Sequence, residues 1–172
     1  MHPAEPTLRP FTAADADFLA AMAVDPRITR FVGDGEPWTR ERIDQRVAEA
    51  LTGTAPGQVG AARWFVAEEA GRPVALAVAT RRASGVEIGY WVAVGEWGRG
   101  VARTTAQLLL ERVAALFDGW PVFARVHPDN AASVAVLLGI GLRRVGADAE
   151  GVDRYEASPA TQASGSAAAP SP

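Results

Sequence analysis

The sequence predicts a mixed α/β (α+β) domain: one mixed sheet with helices packed on it. Three observations predict it. Short apolar alternations recur along the chain, stretches of 3.6-residue periodicity interrupt them, and Gly- and Pro-rich turns separate the two kinds. The resulting order is β-α-α-β-β-β-α-β-α-β-β, which is not the regular βα alternation of a parallel sheet.

Each element has its own signal. Thr7–Pro10 reads as a short strand. Thr12-Ala13-Ala14-Asp15 has the form of a capping box, and Phe18, Leu19 and Met22 follow at helical spacing. Asp25-Pro26 stops that helix, because the residue before proline avoids the helical region. Thr29–Trp38 reads as a loop carrying Gly33, Gly35 and Pro37. Thr39 can cap a second helix with Ile43, Val47 and Leu51 on one face. After a Gly/Pro/Thr loop over Thr52–Gly60, Arg63–Glu68 and Pro73–Arg81 form a hairpin around Ala70-Gly71-Arg72.

Val86–Val94 alternates, with Val86, Ile88, Tyr90, Val92 and Val94 on one face. Gly95-Glu96-Trp97-Gly98-Arg99-Gly100 breaks it, and a helix follows at once with Ala106, Leu109, Leu110, Val113 and Phe117 as its buried stripe. Pro121–Val126 is a strand, and Pro128-Asp129-Asn130 opens a helix that Gly139 and Gly141 end. Leu142–Ala147 and Val152–Ala157 are two last strands around Gly151. Residues 1–6 and 158–172 are expected to be disordered, the latter being rich in Ala, Ser and Pro without a large apolar residue. One domain over 7–157 remains.

Composition excludes several chemistries. The net charge of −3 disfavours a nucleic-acid surface. No apolar run reaches the roughly 18 residues of a membrane span, and the N-terminus lacks the plan of a signal peptide, so a cytoplasmic location is expected. With no Cys there is no thiolate nucleophile and no Cys-based metal site. All 17 basic residues are Arg, which removes Schiff-base chemistry and the lysine of a Walker-type phosphate loop. The 2 histidines, His2 and His127, do not make a metal cluster. Anion chemistry here falls to arginine, backbone N–H groups and helix ends.

The segment best suited to that chemistry is the strand, glycine-rich turn and helix at Val86–Phe117. Such a turn offers several free N–H groups at the positive end of a helix dipole, an arrangement that holds phosphate. Gly98 and Gly100 allow close approach, and Arg99 and Arg103 add charge. The same pattern also describes an ordinary tight turn with two solvated arginines. A dinucleotide-binding turn is disfavoured, because Gly98-Arg99-Gly100-Val101-Ala102-Arg103 lacks the third glycine.

Here the sequence resembles the GNAT superfamily of N-acetyltransferases. The cofactor motif of that family, Gln/Arg-x-x-Gly-x-Gly/Ala, is matched by Trp97-Gly98-Arg99-Gly100-Val101-Ala102. Ile88-Gly89-Tyr90-Trp91, Asn130-Ala131-Ala132-Ser133, Gly141-Leu142 and the opening Leu8-Arg9-Pro10-Phe11 are similar to the ribosomal-protein N-terminal acetyltransferase (RimJ/RimL-like) branch. The resemblance spans about residues 7–157 and implies a mostly antiparallel sheet of six to seven strands, splayed at the cofactor site, with about four flanking helices. It implies acetyl-CoA as acyl donor. The loop amides of Arg99, Gly100, Val101, Ala102, Arg103 and Thr104 would hold its pyrophosphate, the backbone of Val92 and Val94 would line its pantetheine arm, and Asn130 would contact that arm.

The match has departures. Trp97 stands at the Gln/Arg position, Thr104 where a Glu is common, and Leu137 where many relatives carry a Tyr that protonates the leaving thiolate. Ser133 is the nearest substitute for that acid, or else a first-turn cap. Glu87 is the candidate base, because an ammonium acceptor must lose a proton before it attacks; the bland alternative is a solvated strand carboxylate. His127 is better read as a turn residue than as a base. The resemblance places the acceptor beside Thr29–Trp38, where Asp34 and Glu36 would draw a cationic amine and Trp38 would offer a platform.

Two readings follow. One is an enzyme that transfers acetyl from acetyl-CoA to a primary amine, a protein N-terminus or a small amine, by direct attack without a covalent enzyme intermediate. The other is a non-catalytic acyl-CoA-binding regulatory module. The resemblance is compatible with a homodimer.

Overall fold

The structure, a computed structural model, describes residues 5–117 and 119–158. The expectations of disorder at residues 1–6 and 158–172 fall outside the described residues, except for Glu5, Pro6 and Ser158. Among the described residues seven strands form one sheet in the order β1-β2-β3-β4-β5-β7-β6. They are β1 (Thr7–Pro10), β2 (Ala62–Glu69), β3 (Arg72–Arg82), β4 (Gly85–Val92), β5 (Val122–Val126), β6 (Leu142–Ala147) and β7 (Asp153–Ala157). Five α-helices accompany them among the described residues: α1 (Ala16–Ala23), α2 (Pro26–Thr29), α3 (Arg40–Leu51), α4 (Val101–Leu116) and α5 (Ala131–Gly139). The mixed, mostly antiparallel sheet predicted from sequence is therefore the observed one. Among the described residues no helix is long and apolar enough to cross a membrane.

Local differences from the sequence reading have physical causes. Asp25-Pro26 ends α1 as expected but also starts α2, because Asp25 accepts from the Arg27 N–H and Pro26 occupies the first helical position. The alternating strand ends at Val92 rather than Val94, since Val94–Glu96 turns into a single 3₁₀ turn. The β2–β3 hairpin closes on Ala70 and Gly71, both at positive φ (49° and 78°), the combination of a type I′ turn.

The sheet separates two cores. Phe65, Ala67, Ala75, Ala77, Ile88 and Val92 pack against α4 and α5 through Leu109, Val113 and Leu137. On the other face Val66 and Leu76 meet Leu19, Met22, Trp38 and Ile43 of the α1–α3 layer. Alternation in β4 thus sends Tyr90 to the α4/α5 side and Trp91 to the α1/α3 side.

The pair β4–β5 sets the architecture. It is the sheet's parallel pair, and its register holds only Val86↔Val122 and Glu87↔Phe123. Beyond these the strands part, while β4 stays paired to β3 as far as Ala75↔Val92. A gap therefore opens toward the C-terminal ends of β4 and β5. Its closed base is tightly built. Gly85 has φ 147°, and a Cβ there would lie 2.3 Å from the Pro121 carbonyl oxygen. That approach lets the Val86 N–H bond Pro121 O at 2.8 Å. The buried Arg81 guanidinium lies 3.3 Å from the Trp120 ring centroid and donates to Gly85 O at 3.2 Å.

Two outcomes are expected. Gly85→Ala forces a side chain against backbone at a left-handed φ, so it should lower stability by about 2–4 kcal/mol in a denaturant melt; a loss under about 0.5 kcal/mol would mean the base tolerates a side chain. Asp15 is 3% exposed and bonds Arg9 twice at 2.8 Å. Arg9 is the main cause that brings its carboxyl from 3.8 down to about 2, with the Thr12 N–H and hydroxyl assisting. A depressed folded pKa contributes stability above the unfolded pKa and loses it as pH falls through the folded one. Asp15→Asn should therefore cost about 1–2 kcal/mol at neutral pH, and the difference from wild type should shrink as pH falls through about 2 and vanish only below it. A difference that persists there would assign the effect to shape rather than charge.

Candidate functional site

The gap between β4 and β5 has a helix at its mouth. After Val92 the chain makes the Val94–Glu96 turn, passes Trp97 and Gly98, and enters α4 through Gly100. Gly98 and Gly100 both lie at positive φ, 76° and 81°, and a Cβ on either would meet nothing within 4 Å. The turn thus needs glycine for its backbone and leaves open space beside it. No side chain caps α4. Its first-turn amides, Val101, Ala102 and Arg103, lack an intrahelical acceptor by construction, whereas the Thr104 N–H already bonds Gly100 O at 3.1 Å. A 16-residue helix with an uncapped N-terminus presents those amides and its positive dipole end to an anion.

The arginines are placed differently. Arg99 pairs with Glu69 at 2.9 Å and with Glu96, and Arg72 pairs with the other Glu96 oxygen at 2.6 Å. Arg72 first, and Arg99 after it, hold the Glu96 carboxyl below its ordinary range. The Arg99 side chain therefore ties the turn to the β2–β3 hairpin, and its charge is spent on carboxylates. Arg103 donates to Gly139 O at 3.1 Å, joining α4 to the end of α5. Trp97 donates its indole N–H to Val92 O at 2.9 Å, which closes the last carbonyl of β4. Val94 lies in the 3₁₀ turn.

Both rims of the gap are bridged. On the α4/α5 side the Tyr90 hydroxyl lies beside Ser133, in the first turn of α5. Burial raises the phenol pKa, and Ser133 acts against that rise. Asn130 caps α5 by accepting from the Ser133 N–H at 3.2 Å. On the α1/α3 side the loop after α2 reaches across, and Phe31 stacks on His127 with centroids 5.7 Å apart. His127 directly follows β5, so this contact crosses the open end.

The remaining predicted residues spread around this frame. Glu87 is in the last β4–β5 pair, at the closed base, and bonds Arg82 at 2.7 Å. Asp34 is exposed and pairs with Arg42 at 3.3 Å. The Glu36 N–H and Arg42 keep the Asp34 carboxyl below its usual range. Trp38 is buried in the α1–α3 layer, edge-on to Trp91 at 4.8 Å and covered by Arg42 at 4.5 Å. Its place is in the core, not on the loop's surface. Sequence reasoning missed Phe31 and Tyr90; Tyr90 carried a signal, being a polar group on the apolar face of a strand. Among the described residues no three His, Cys, Asp or Glu side chains gather into a metal site.

Comparison with known proteins agrees with this geometry. Residues 7–143 match the profile of the acetyltransferase (GNAT) domain family. No curated protein sequence matches the chain. Among solved structures it is similar to spermidine N-acetyltransferase from Vibrio cholerae in complex with CoA and spermine, with TM-score 0.73, 18% identity, and coverage of 88% of this chain and 93% of that one. It is similar to AAC(6′)-Ib, an aminoglycoside acetyltransferase, in complex with ribostamycin and coenzyme A, with TM-score 0.75, 16% identity, and 91% and 95% coverage. A GNAT-family acetyltransferase from Bacillus anthracis aligns with TM-score 0.71, 20% identity, and 91% and 95% coverage. At these identities the likeness concerns the fold.

The ion pairs of Arg99 generate a prediction. Arg99→Gln leaves Glu69 without its cation, so the melting temperature should fall by about 2–4 °C. Affinity for acetyl-CoA, measured by calorimetry, should drop less than tenfold. A hundredfold loss at unchanged melting temperature would make the Arg99 side chain a direct phosphate ligand.

Proposed function

The chain belongs to the acetyltransferase (GNAT) domain family, and from that premise we propose that it transfers an acetyl group from acetyl-CoA to a primary amine. The observation that carries this reading is the parted β4–β5 pair with the uncapped, glycine-lined start of α4 at its mouth. The group fits what is present: open space beside Gly98 and Gly100, and unpaired amides of Val101, Ala102 and Arg103. Acetyl-CoA supplies an activated acyl thioester. The protein's part is to hold the pyrophosphate on those amides, line the arm with β4 and the Asn130 end of α5, and position the acceptor.

The acceptor is proposed to approach from the α1/α3 side, past Phe31 and His127, with Asp34 and Glu36 contributing negative charge to the loop. Spermidine and aminoglycoside acetyltransferases share the fold, and Ile88-Gly89-Tyr90-Trp91 with Trp97-Gly98-Arg99-Gly100 supports the protein N-terminal branch. Acceptors worth testing are therefore peptides with free N-termini, polyamines and aminoglycosides. Glu87 is proposed as the base, acting through water because it sits at the base of the gap beside Arg82.

A panel of such amines, read by release of free CoA, tests the proposal: at least one should give turnover above the hydrolytic background. Binding of acetyl-CoA without turnover on any amine would favour the non-catalytic module. Glu87→Gln should lower turnover at neutral pH at least tenfold, leave acetyl-CoA affinity nearly unchanged, and recover partly as pH rises. Wild-type turnover across the pH range would make Glu87 structural.

A further inference from the structure

Glu87 shares its sheet face with a cavity. Val86, Val122, Ala124 and Tyr155 belong to the α4/α5 core, so alternation turns Glu87, Phe123, Arg125 and Arg154 to the opposite face. The apolar cluster of the α1–α3 layer reaches Trp91 on β4 and includes no residue of β5, β6 or β7. Between β5, β7 and the β6–β7 hairpin lies a cavity of about 190 Å³, lined by Arg125, Arg154, Asp148, Val145, Gly146 and Ala147. β6 bulges there: its pairing with β7 skips from Arg144 to Gly146, and Val145 is left exposed. Hydrogen bonding in this cavity is one-sided. One Asp148 oxygen accepts from Arg125 Nε at 3.0 Å and from Arg125 Nη2. The other accepts the N–H groups of Glu150 at 3.1 Å and Val152 at 2.9 Å, so all four acceptor positions of the carboxylate are filled. Arg154 lies over Phe123, gives Nε to Glu156 at 2.8 Å and gives Nη1 to the Ser84 hydroxyl at 3.3 Å. Among the described residues Arg125 Nη1 and Arg154 Nη2 have no partner. The cavity therefore offers cationic donors and no acceptor.

We propose that this cavity is a second anchor for the acceptor, and that the acceptor is an amine carrying a carboxylate, held by Arg125 Nη1 and Arg154 Nη2. This rests on the acetyl-transfer reading above, with Glu87 beside the reacting amine. Glu87 pairs with Phe123, and Arg125 is two residues further on the same face, about 7 Å along the strand. On β4 the next residue of that face is Gly89, whose missing side chain leaves the way open. Asp148 first, with Glu87 and Glu150 behind it, raises the Arg125 guanidinium above its ordinary range, so Glu87 and the cavity are within electrostatic reach. An amine with a carboxylate that far away is a peptide with an acidic second residue, or a small ω-amino acid. A polyamine brings only donors and positive charge, which two guanidinium groups repel. Nor does it find free counter-charge in Asp34, Glu87, Asp148 and Glu156, which are paired with Arg42, Arg82, Arg125 and Arg154.

Calorimetry on the full chain saturated with coenzyme A, where no turnover occurs, tests this with four probes: the peptide amides Ala-Asp-Ala and Ala-Asn-Ala, δ-aminovalerate and spermidine. The acidic peptide should bind about tenfold tighter than its asparagine twin, the scale of one charge-assisted contact. Spermidine should bind more weakly than the acidic peptide. Binding of δ-aminovalerate as tight as the acidic peptide assigns the carboxylate to a small amino acid, and weaker binding assigns it to a peptide. Arg154→Gln and Arg125→Gln should each abolish the preference for the acidic peptide, and Arg154→Lys should keep part of it. Coenzyme A affinity should stay within about twofold in all three, since separate sites act nearly independently. Equal affinity of wild type for the two peptides would overturn the proposal. So would spermidine binding tighter than the acidic peptide, a preference that survives both glutamine variants, or no binding of any probe. Failure of wild type to bind coenzyme A would instead overturn the acetyl-transfer reading itself.

Discussion

The structure depends on a strand pair that stops. Two parallel strands in one sheet ordinarily stay paired along their length, because an unpaired backbone amide inside a fold is costly. Here β4 and β5 share only Val86↔Val122 and Glu87↔Phe123 before parting. The base is held by the Gly85–Pro121 approach and by Arg81 against Trp120. The proposed site is arranged around the consequence, a gap between β4 and β5 beyond Glu87. The sheet continues through β4 on one side of the gap and through β5, β7 and β6 on the other.

The charges around the cleft follow from the same economy. With no lysine in the chain, the proposed phosphate site relies on main-chain amides and the α4 dipole. Arginine does the scaffolding: Arg72 and Arg99 on Glu96 and Glu69 fix the turn, and Arg103 links α4 to α5. Partly exposed ion pairs contribute little each, but they locate a backbone whose positive-φ glycines would otherwise leave it loosely defined. Fixing the turn with side chains leaves its amides free for ligand.

Much of this was legible in the sequence. The strands were readable from short apolar runs bounded by turn residues, with alternation in Val86–Val92, and Trp97-Gly98-Arg99-Gly100 before an apolar helical stripe gave the glycine turn and the start of α4, because that pattern encodes backbone geometry directly. What stayed hidden depends on long-range placement. Nothing local in Val86–Val92 says that β5 leaves it after Glu87, and nothing in Phe31 or His127 says that they meet across the gap. Trp38 lies in a polar stretch, yet the buried ring belongs to the cluster with Trp91 and Trp64. Tyr90 was readable as part of an apolar face; that its hydroxyl comes to lie beside Ser133 appears only once α5 is docked.

On the proposed reading, the gap and the uncapped start of α4 form one ligand site. Backbone amide resonances of the ¹⁵N-labelled full chain during titration with acetyl-CoA test this most directly. The largest shifts should fall at Gly100, Val101, Ala102 and Arg103, with smaller ones at Val92 and Ser133 and little change in the β6–β7 hairpin. Saturable shifts confined elsewhere, with the α4 amides unmoved, would contradict it.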